Sequence, residues 1–392
     1  MSRPRAFPVV LAGFSAFLDL YATQPLLPFL ARTFHASALR VSLTVTAPAV
    51  AVAIAAPVVG RLADRFGLRR MIVGSAFALA AATLLAASAA SLPQLIFWRF
   101  GQGLMTPGIF AITIAYIHEE WPAATAGSAT AAYVSGTVVG GFVGRALMGV
   151  TASAFSWQMS FVLLGLLNLV AAAILWRQLP VERPRPRTEK SVRGSLSSHL
   201  HNRQLVATYA IGFCILCAQV ATFTYITFYL AAPPFGLSTA ALGWIFVTYL
   251  LGAVVTPIAG RWTDRYGRRM PFIASVAMGV AAVLLTLAPS LAVVIVGLSF
   301  FGTSVFVTQA TASSHVGATA THGRGLAIGL YSTCYYIGGS VGSALPSVVW
   351  SSGGWSACVA LIVGVQVAMA LIAFTCWTDA GRGELLPEAI GG

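Results

Sequence analysis

Residues 57–70 read PVVGRLADRFGLRR, and 200 positions later residues 257–270 read PIAGRWTDRYGRRM. Seven of the fourteen positions coincide: Pro57, Gly60, Arg61, Asp64, Arg65, Gly67 and Arg69 recur at the same offset in the second copy. A polar loop repeated at that distance divides the chain into two copies of one unit. The surrounding composition says what kind of unit. Of 392 residues, 58% are hydrophobic and 8% are charged, against roughly 45–50% and 25% in soluble domains. So few charges cannot cover a water-exposed surface, which excludes a soluble enzyme and a disordered chain. The net charge of +13 does not indicate a nucleic-acid binder either, because the basic residues sit in short clusters between apolar runs.

A bilayer-crossing helix takes about 20 mostly apolar residues. Twelve such stretches are expected, near 6–31, 40–60, 71–88, 92–114, 127–151, 157–176, 204–231, 240–259, 271–288, 291–313, 326–350 and 355–377. Between the sixth and seventh lies the one long polar stretch, RQLPVERPRPRTEKSVRGSLSSHLHNR at 177–203, whose Pro, Arg and Ser content reads as an extended linker. The organisation is therefore an N-terminal bundle at 1–176, a cytoplasmic linker at 177–203 and a C-terminal bundle at 204–392. Each repeat copy joins the second and third span of its half. Parallel six-helix repeats related by an axis along the membrane normal are a transporter architecture. The expected fold is an all-α polytopic membrane protein, with twelve transmembrane helices in two pseudo-symmetric six-helix bundles.

Basic residues set orientation. With the N-terminus inside, 19 of the 23 fall in inner segments, only Arg32 and Arg40 in outer loops, and Arg99 and Arg145 within spans. Both termini are thus expected in the cytoplasm, with anionic lipid headgroups beside the inner loops. The first span follows Arg3 and Arg5 as a signal peptide would, but the eleven spans behind it favour an uncleaved helix. Cys214, Cys217, Cys334, Cys358 and Cys376 all lie in apolar spans and read as packing residues. His118, His315 and His322 fall near inner helix ends and read as solvated.

Three ionisable residues lie inside spans: Asp19 in the first, Arg99 in the fourth and Arg145 in the fifth. A charge at mid-bilayer costs about 2.5–3.5 kcal/mol, so each is a functional candidate. At 1.5 Å per residue, Asp19 is about 15 Å from its outer helix end and the arginines about 10 Å from theirs, so all three share one depth. Burial drives a carboxyl toward its neutral form, and a neighbouring guanidinium drives it toward the charged one. Asp19 beside one or two arginines is then either a proton carrier switched by conformation or a permanent structural ion pair. Arg99 is either a cavity charge or a helix-packing group bonded to backbone carbonyls. Arg145 has three candidate partners: Asp19, helix carbonyls, or an anionic part of a substrate. With Asp19 ionised the N-terminal half of the cavity carries +1, which favours neutral or anionic cargo over cations. Polar and aromatic candidates for the cavity lining are Tyr21, Gln24, Gln102, Gln219, Thr222, Tyr225, Trp244, Tyr249, Gln309, Tyr331 and Tyr335, each equally able to bond neighbouring helices.

The repeated loop has a family resemblance. GRLADRFGLRR resembles the signature of the major facilitator superfamily, Gly-x-Leu-Ala-Asp-Arg-x-Gly-Arg-Arg. WRFGQG at 98–103 is similar to that superfamily's Arg-x-x-Gln-Gly pattern on the fourth helix. GTVVGGFVGR at 136–145 resembles the Gly-rich fifth-helix pattern of its drug/proton antiporters, with Gly141 where that pattern has proline and Arg145 where it has glycine. Gly136, Gly140 and Gly144 at four-residue spacing also suit close helix packing alone.

The resemblance implies a proton-coupled secondary transporter that exports a small organic molecule by alternating access, in a bacterial inner membrane. It implies a monomer with no cofactor beyond the proton gradient, whose partners are a small-molecule substrate, protons and membrane lipids. Asp19 is then the coupling residue. The loop becomes a gating latch: Gly60 and Gly67 turn the backbone, and Asp64 meets the N-terminus of the eleventh helix near Gly325, where the dipole favours an anion. Arg65 and Arg69 pair with Glu119 and Glu120, and Asp264 and Arg265 form a weaker second latch against the fifth helix. The alternative for the loop is a solvated topology signal. No G-x-x-x-x-G-K-[ST] phosphate loop supports an ATP-driven pump, and no metal-ligand cluster stands out. A sugar or organic-anion carrier of the same fold and, in another class, an intramembrane enzyme are the alternatives.

Overall fold

The computed structural model describes residues 6–180, 198–252, 254–255, 267–320 and 323–377. The described residues are helical, with nine helices long and apolar enough to cross a membrane. We number the spans in chain order: α1 Ala6–Thr33, α2 Ala38–Phe66, α3 Leu68–Ala87, α4 Leu92–Glu120, α5 Ala123–Ala154, α6 Trp157–Gln178, α7 Arg203–Ala231, α8 Thr239–Gly252, α9 Arg269–Leu285, α10 Leu291–Thr319, α11 Arg324–Ala344 and α12 Pro346–Cys376. The shorter apolar helices α8 and α9, with the 21-residue α11, complete the twelve among the described residues. Helical path runs on past Ala344 and breaks at Gly354 (φ 56°, ψ −141°), inside the expected gap between the last two spans. The latch candidates Asp264 and Arg265 lie outside the described residues.

Local chemistry sets the boundaries. Gly67 between α2 and α3 has φ 92°, and Gly267 before α9 has φ 79°, so both copies of the repeat turn on a glycine in a region that side chains disfavour. The even-numbered helices α2, α4, α6 and α8 start on Ser37, Ser91, Ser156 and Ser238, each accepting a bond from a first-turn amide, the usual way a helix satisfies its free N–H groups.

Glycine then sets which helices touch. A Cβ on Gly136, Gly140 or Gly144 of α5 would lie 2.2, 2.2 and 1.8 Å from the carbonyl oxygens of Val10, Phe14 and Leu18 on α1. In the other half, a Cβ on Gly338 or Gly342 of α11 would lie 2.0 and 2.2 Å from the carbonyls of Phe213 and Cys217 on α7. The pseudo-symmetry thus reaches the packing contacts themselves, since α1 with α5 corresponds to α7 with α11. Because the obstacle at each position is backbone, Gly144→Ala is expected to lower the melting temperature of the purified protein. Overpacking costs about 1–3 kcal/mol. Gly74→Ala, with nothing within 4 Å of its added carbon, should not lower it; equal melts for the two variants would remove the packing argument.

Among the described residues, the hydrogen bonds between the halves gather at one end. Gln24 Nε2 donates to Thr224 Oγ1 at 3.1 Å, the hydroxyls of Thr46 and Ser343 are 2.7 Å apart, and the amide of Ala240 donates to Ser153 Oγ at 2.9 Å. All of these lie toward the end bearing the α1–α2 and α7–α8 turns. At the opposite end Gly60, Gly127, Gly317, Gly325 and Gly329 would each carry a Cβ into open space. Among the described residues, the first end is closed and the second parted.

Candidate functional site

Two charged sites lie on opposite sides of α1, and the prolines of that helix explain why. Pro25 and Pro28 have no N–H, so the helix is interrupted after Leu20 and resumes through a tight turn at Gln24–Leu26. Pro48 likewise gives Thr44 of α2 no amide partner. Arg99 of α4 answers both interruptions. Its Nε donates to the carbonyl of Thr44 at 2.9 Å, Nη1 to that of Asp19 at 2.9 Å and to Gln102 Oε1, and Nη2 to the carbonyl of Leu20 at 2.7 Å. The side chain is fully buried. Of its two readings, the geometry is that of a backbone clamp.

The Asp19 side chain, 1% exposed, points into the interior of the N-terminal bundle. Its Oδ2 accepts from Thr83 Oγ1 at 2.6 Å and from Asn168 Nδ2 at 2.7 Å, and Ser15 Oγ donates to Asn168 Oδ1 at 2.6 Å. Gln102 Nε2 donates to Thr83 Oγ1 at 3.0 Å, so Gln102 belongs to this network. Asp19 Oδ1 is buried with no hydrogen-bond partner among the described residues. The expected ion pair with an arginine is absent here: Arg99 binds the backbone of Asp19, not its carboxylate. The guanidinium is spent on the Thr44 carbonyl that Pro48 leaves free and on the carbonyls at the break in α1, while neutral Thr83 and Asn168 hold the acid. Sequence reading missed Ser15, Thr83 and Asn168, because uncharged residues in apolar spans give no signal of their own.

Arg145 of α5 is the second site. Its Nε donates to Gln24 Oε1 at 2.8 Å and its Nη1 to the carbonyl of Gly141 at 2.6 Å. The guanidinium carbon lies 5.4, 4.7 and 5.2 Å from the ring centres of Tyr21, Phe246 and Tyr249. Of its three candidate partners, this structure selects a helix carbonyl and the Gln24 amide, and Asp19 is not among them. A Cβ on Gly141 would sit 3.2 Å from Nη1. The two departures from the antiporter pattern are therefore one arrangement: Gly141 leaves the space into which Arg145 folds back. Hydrogen bonds to a charged group contribute about 1.5–3 kcal/mol each and cation–π contacts about 0.5–2. Together they offset the cost of an arginine at this depth, so the charge persists without a carboxylate.

Arg145 lines a cavity of about 120 Å³ between the halves. Tyr21, Gln219, Tyr249, Gln309 and Tyr335 line it as well, together with Phe17, Thr137, Phe306 and Tyr336, which sequence reading had not singled out. Other candidates fall elsewhere. Gln24 holds Arg145 from behind, and Tyr331 donates to Gln309 Oε1 at 3.0 Å. Thr222 bonds the carbonyl of Ala218, Tyr225 bonds that of Ser343, and Trp244 is 55% exposed beside Phe142. These three turn away because a helix presents only one face inward. Asp19 and Arg99 do not line the cavity, so among the described residues its one charged group is Arg145, in place of the expected sum of three. At an effective dielectric of about 20, a unit charge about 4 Å away is favoured or disfavoured by about 4 kcal/mol according to sign.

At the parted end, Asp64 and Arg65 are exposed rather than enclosed in a seam, and Arg65 lies over the Phe66 ring at 5.6 Å. Glu119 is also exposed, and Glu120 partly so. Arg69 donates from Nε to the carbonyl of Leu179 at 2.6 Å and from Nη2 to that of Trp176, capping the C-terminus of α6. His315, expected to be solvated, is 5% exposed and stacked on Trp377 at 4.2 Å, because the residue that follows α12 packs against α10.

The Major Facilitator Superfamily model matches residues 9–238 and 230–389 of this chain. The chain belongs to that superfamily. It is 34% identical over 391 residues to an uncharacterized MFS-type transporter, YybF, of Bacillus subtilis (strain 168), covering 98% of this chain and 95% of that one. It is 30% identical over 367 residues to the inner membrane transport protein YnfM of Escherichia coli (strain K12), covering 93% and 88%. Among solved structures, a bacterial homolog of the human lysosomal transporter Spinster, inward-facing and occupied, superposes with a TM-score of 0.79 at 15% identity, covering 95% of this chain and 96% of that one. A nucleoside transporter superposes at 0.77 and 13% identity, covering 95% and 100%. At that identity the likeness is one of fold. This is a membrane transporter.

Proposed function

We propose that this superfamily member is a proton-coupled secondary transporter that exports a small organic molecule by alternating access across a bacterial inner membrane. The observation that carries the reading is Asp19, a buried carboxyl with one oxygen held by Thr83 and Asn168 and the other without a partner. A proton, rather than a donor from the protein, completes such a group. An intramembrane ionisable residue of this kind is a proton-relay candidate by its cost alone.

Proton and cargo sites are separate but share α1. Asp19 lies just before the interrupted turn, and Tyr21 and Gln24, on the turn, touch Arg145. Rearranging that turn moves both sites together, which couples them without direct competition. With the basic loops placed inside by the positive-inside rule, both termini are cytoplasmic and the structure is an inward-facing state. The exposed Asp64, Arg65, Gly60 and Gly67 loop is then the latch that engages the α11 N-terminus in the opposite, outward-facing state.

The test is transport by purified protein in proteoliposomes. Compounds that raise its melting temperature should be driven across the membrane by an imposed pH gradient and exchanged without one. Chemical turnover of such a compound without any gradient would favour an intramembrane enzyme instead. Alternation has its own check. A Thr46→Cys, Ser343→Cys double variant should cross-link under oxidant, since the native hydroxyls are 2.7 Å apart, and stop transport until reduced. Full transport by the cross-linked protein would rule out opening at that end.

A second reading is favoured by Arg145. As the one charged group of the cavity among the described residues, it suits an organic-anion carrier of the same fold, working in either direction.

A further inference from the structure

We infer that the cavity at Arg145 is a binding site for the carboxylate of an aromatic or similarly apolar monoanion. This rests on the transporter reading only in that cargo occupies the cavity between the halves; it is independent of proton coupling at Asp19.

Three observations converge on that class. First, two of the five N–H donors of Arg145 are used, one by Gln24 and one by Gly141, and Nη2 has no partner among the described residues. A guanidinium held in place with an unused nitrogen is pre-organised for an oxyanion, and carboxylates match its fork. Second, Tyr21, only 8% exposed, lines the same cavity with a hydroxyl that has no hydrogen-bond partner among the described residues. Gln309 accepts the Tyr331 hydroxyl on its carbonyl oxygen, which leaves its amide N–H groups to donate. The cavity therefore offers donors and one fixed positive charge. Third, apart from Thr137 and Gln219 the remaining walls are mainly aromatic or aliphatic, with Phe17, Phe306, Tyr335 and Tyr336 among them, which suits a flat apolar body. A cationic cargo meets the wrong charge, and a highly hydroxylated sugar meets too few acceptors.

The arrangement is also sensitive to conformation. Arg145 is a residue of the first half whose charge rests on Phe246 and Tyr249 of the second. A carboxylate bound to Nη2 would replace part of that contact when the halves separate at the closed end, so the anion accompanies the charge through the cycle.

The test uses full-length protein in detergent and three probes of one shape: benzoate, benzamide and benzylammonium. Thermal shift and quenching of tryptophan fluorescence would both be recorded at neutral pH. The expected order is benzoate well above benzamide, with no saturable signal from benzylammonium. Arg145→Gln should weaken benzoate at least about tenfold, which corresponds to 1.4 kcal/mol, while leaving benzamide unchanged. If Arg145→Gln does not fold, Tyr21→Phe removes one donor without changing shape and should weaken benzoate several-fold. Asp19→Asn should bind benzoate as the parent does. Equal affinity for the three probes, preference for the cation, or no saturable benzoate binding at millimolar concentration overturns the inference. Proton-driven transport of some other compound under those outcomes would leave the proton-coupled reading standing. Benzoate binding without gradient-driven movement would do the reverse.

Discussion

Asp19→Asn is expected to abolish gradient-driven accumulation while leaving binding and exchange of cargo in place. The amide keeps the size of the carboxyl and keeps an oxygen for Thr83 and Asn168 to bond. It cannot take up or release a proton. One coupled proton sustains about a tenfold cargo gradient per pH unit, since one pK unit corresponds to 1.36 kcal/mol. The parent should therefore accumulate cargo about tenfold per imposed unit, and the variant should only equilibrate it. Counterflow of labelled cargo in the same vesicles shows whether the variant still alternates. Parental accumulation by Asp19→Asn would place the coupling proton elsewhere. Loss of counterflow as well would make Asp19 a structural group.

Arg99→Met should give the largest loss of stability. Methionine fills comparable space but donates nothing. Three backbone carbonyls, of Thr44, Asp19 and Leu20, lose a charged donor. Two of them, on Thr44 and Leu20, are the ones left without their usual helical amide by Pro48 and by the interruption of α1. A buried acceptor left unsatisfied costs about 1–3 kcal/mol, so the pair costs about 2–6 kcal/mol. The variant should melt well below the parent, or fail to accumulate in the membrane. Arg99→Lys should recover only part of the loss, because an ammonium cannot span carbonyls on two helices as the guanidinium fork does. A variant as stable as the parent would show that solvent or a rearranged turn satisfies those carbonyls. The contrast with Asp19→Asn, which removes a charge but no needed donor to backbone, separates clamp from coupling.

The sequence by itself determined the class, the number of spans and the repeat. Low charge content and twelve apolar stretches leave no other way to satisfy the backbone in lipid than helices, and the loop at 57–70 with its copy at 257–270 requires two related halves. It also picked out the three ionisable residues in the spans, since the cost of a charge in lipid marks them wherever they occur. Only the tertiary structure decided what each of them touches. Asp19 and Arg145 are separated in depth by little, yet α1 stands between them, and the break in α1 together with Pro48 of α2 commits Arg99 to backbone. A depth calculation along helices has no angular coordinate, so it merged two sites into one. The same limit hid Thr83 and Asn168, which matter only because α3 and α6 bring them to one carboxylate. It also hid which aromatic residues face the cavity, because each helix offers several and packing exposes one side. Gly141 and Arg145 looked like two departures from a pattern, and became one arrangement once the guanidinium was seen folded over the glycine.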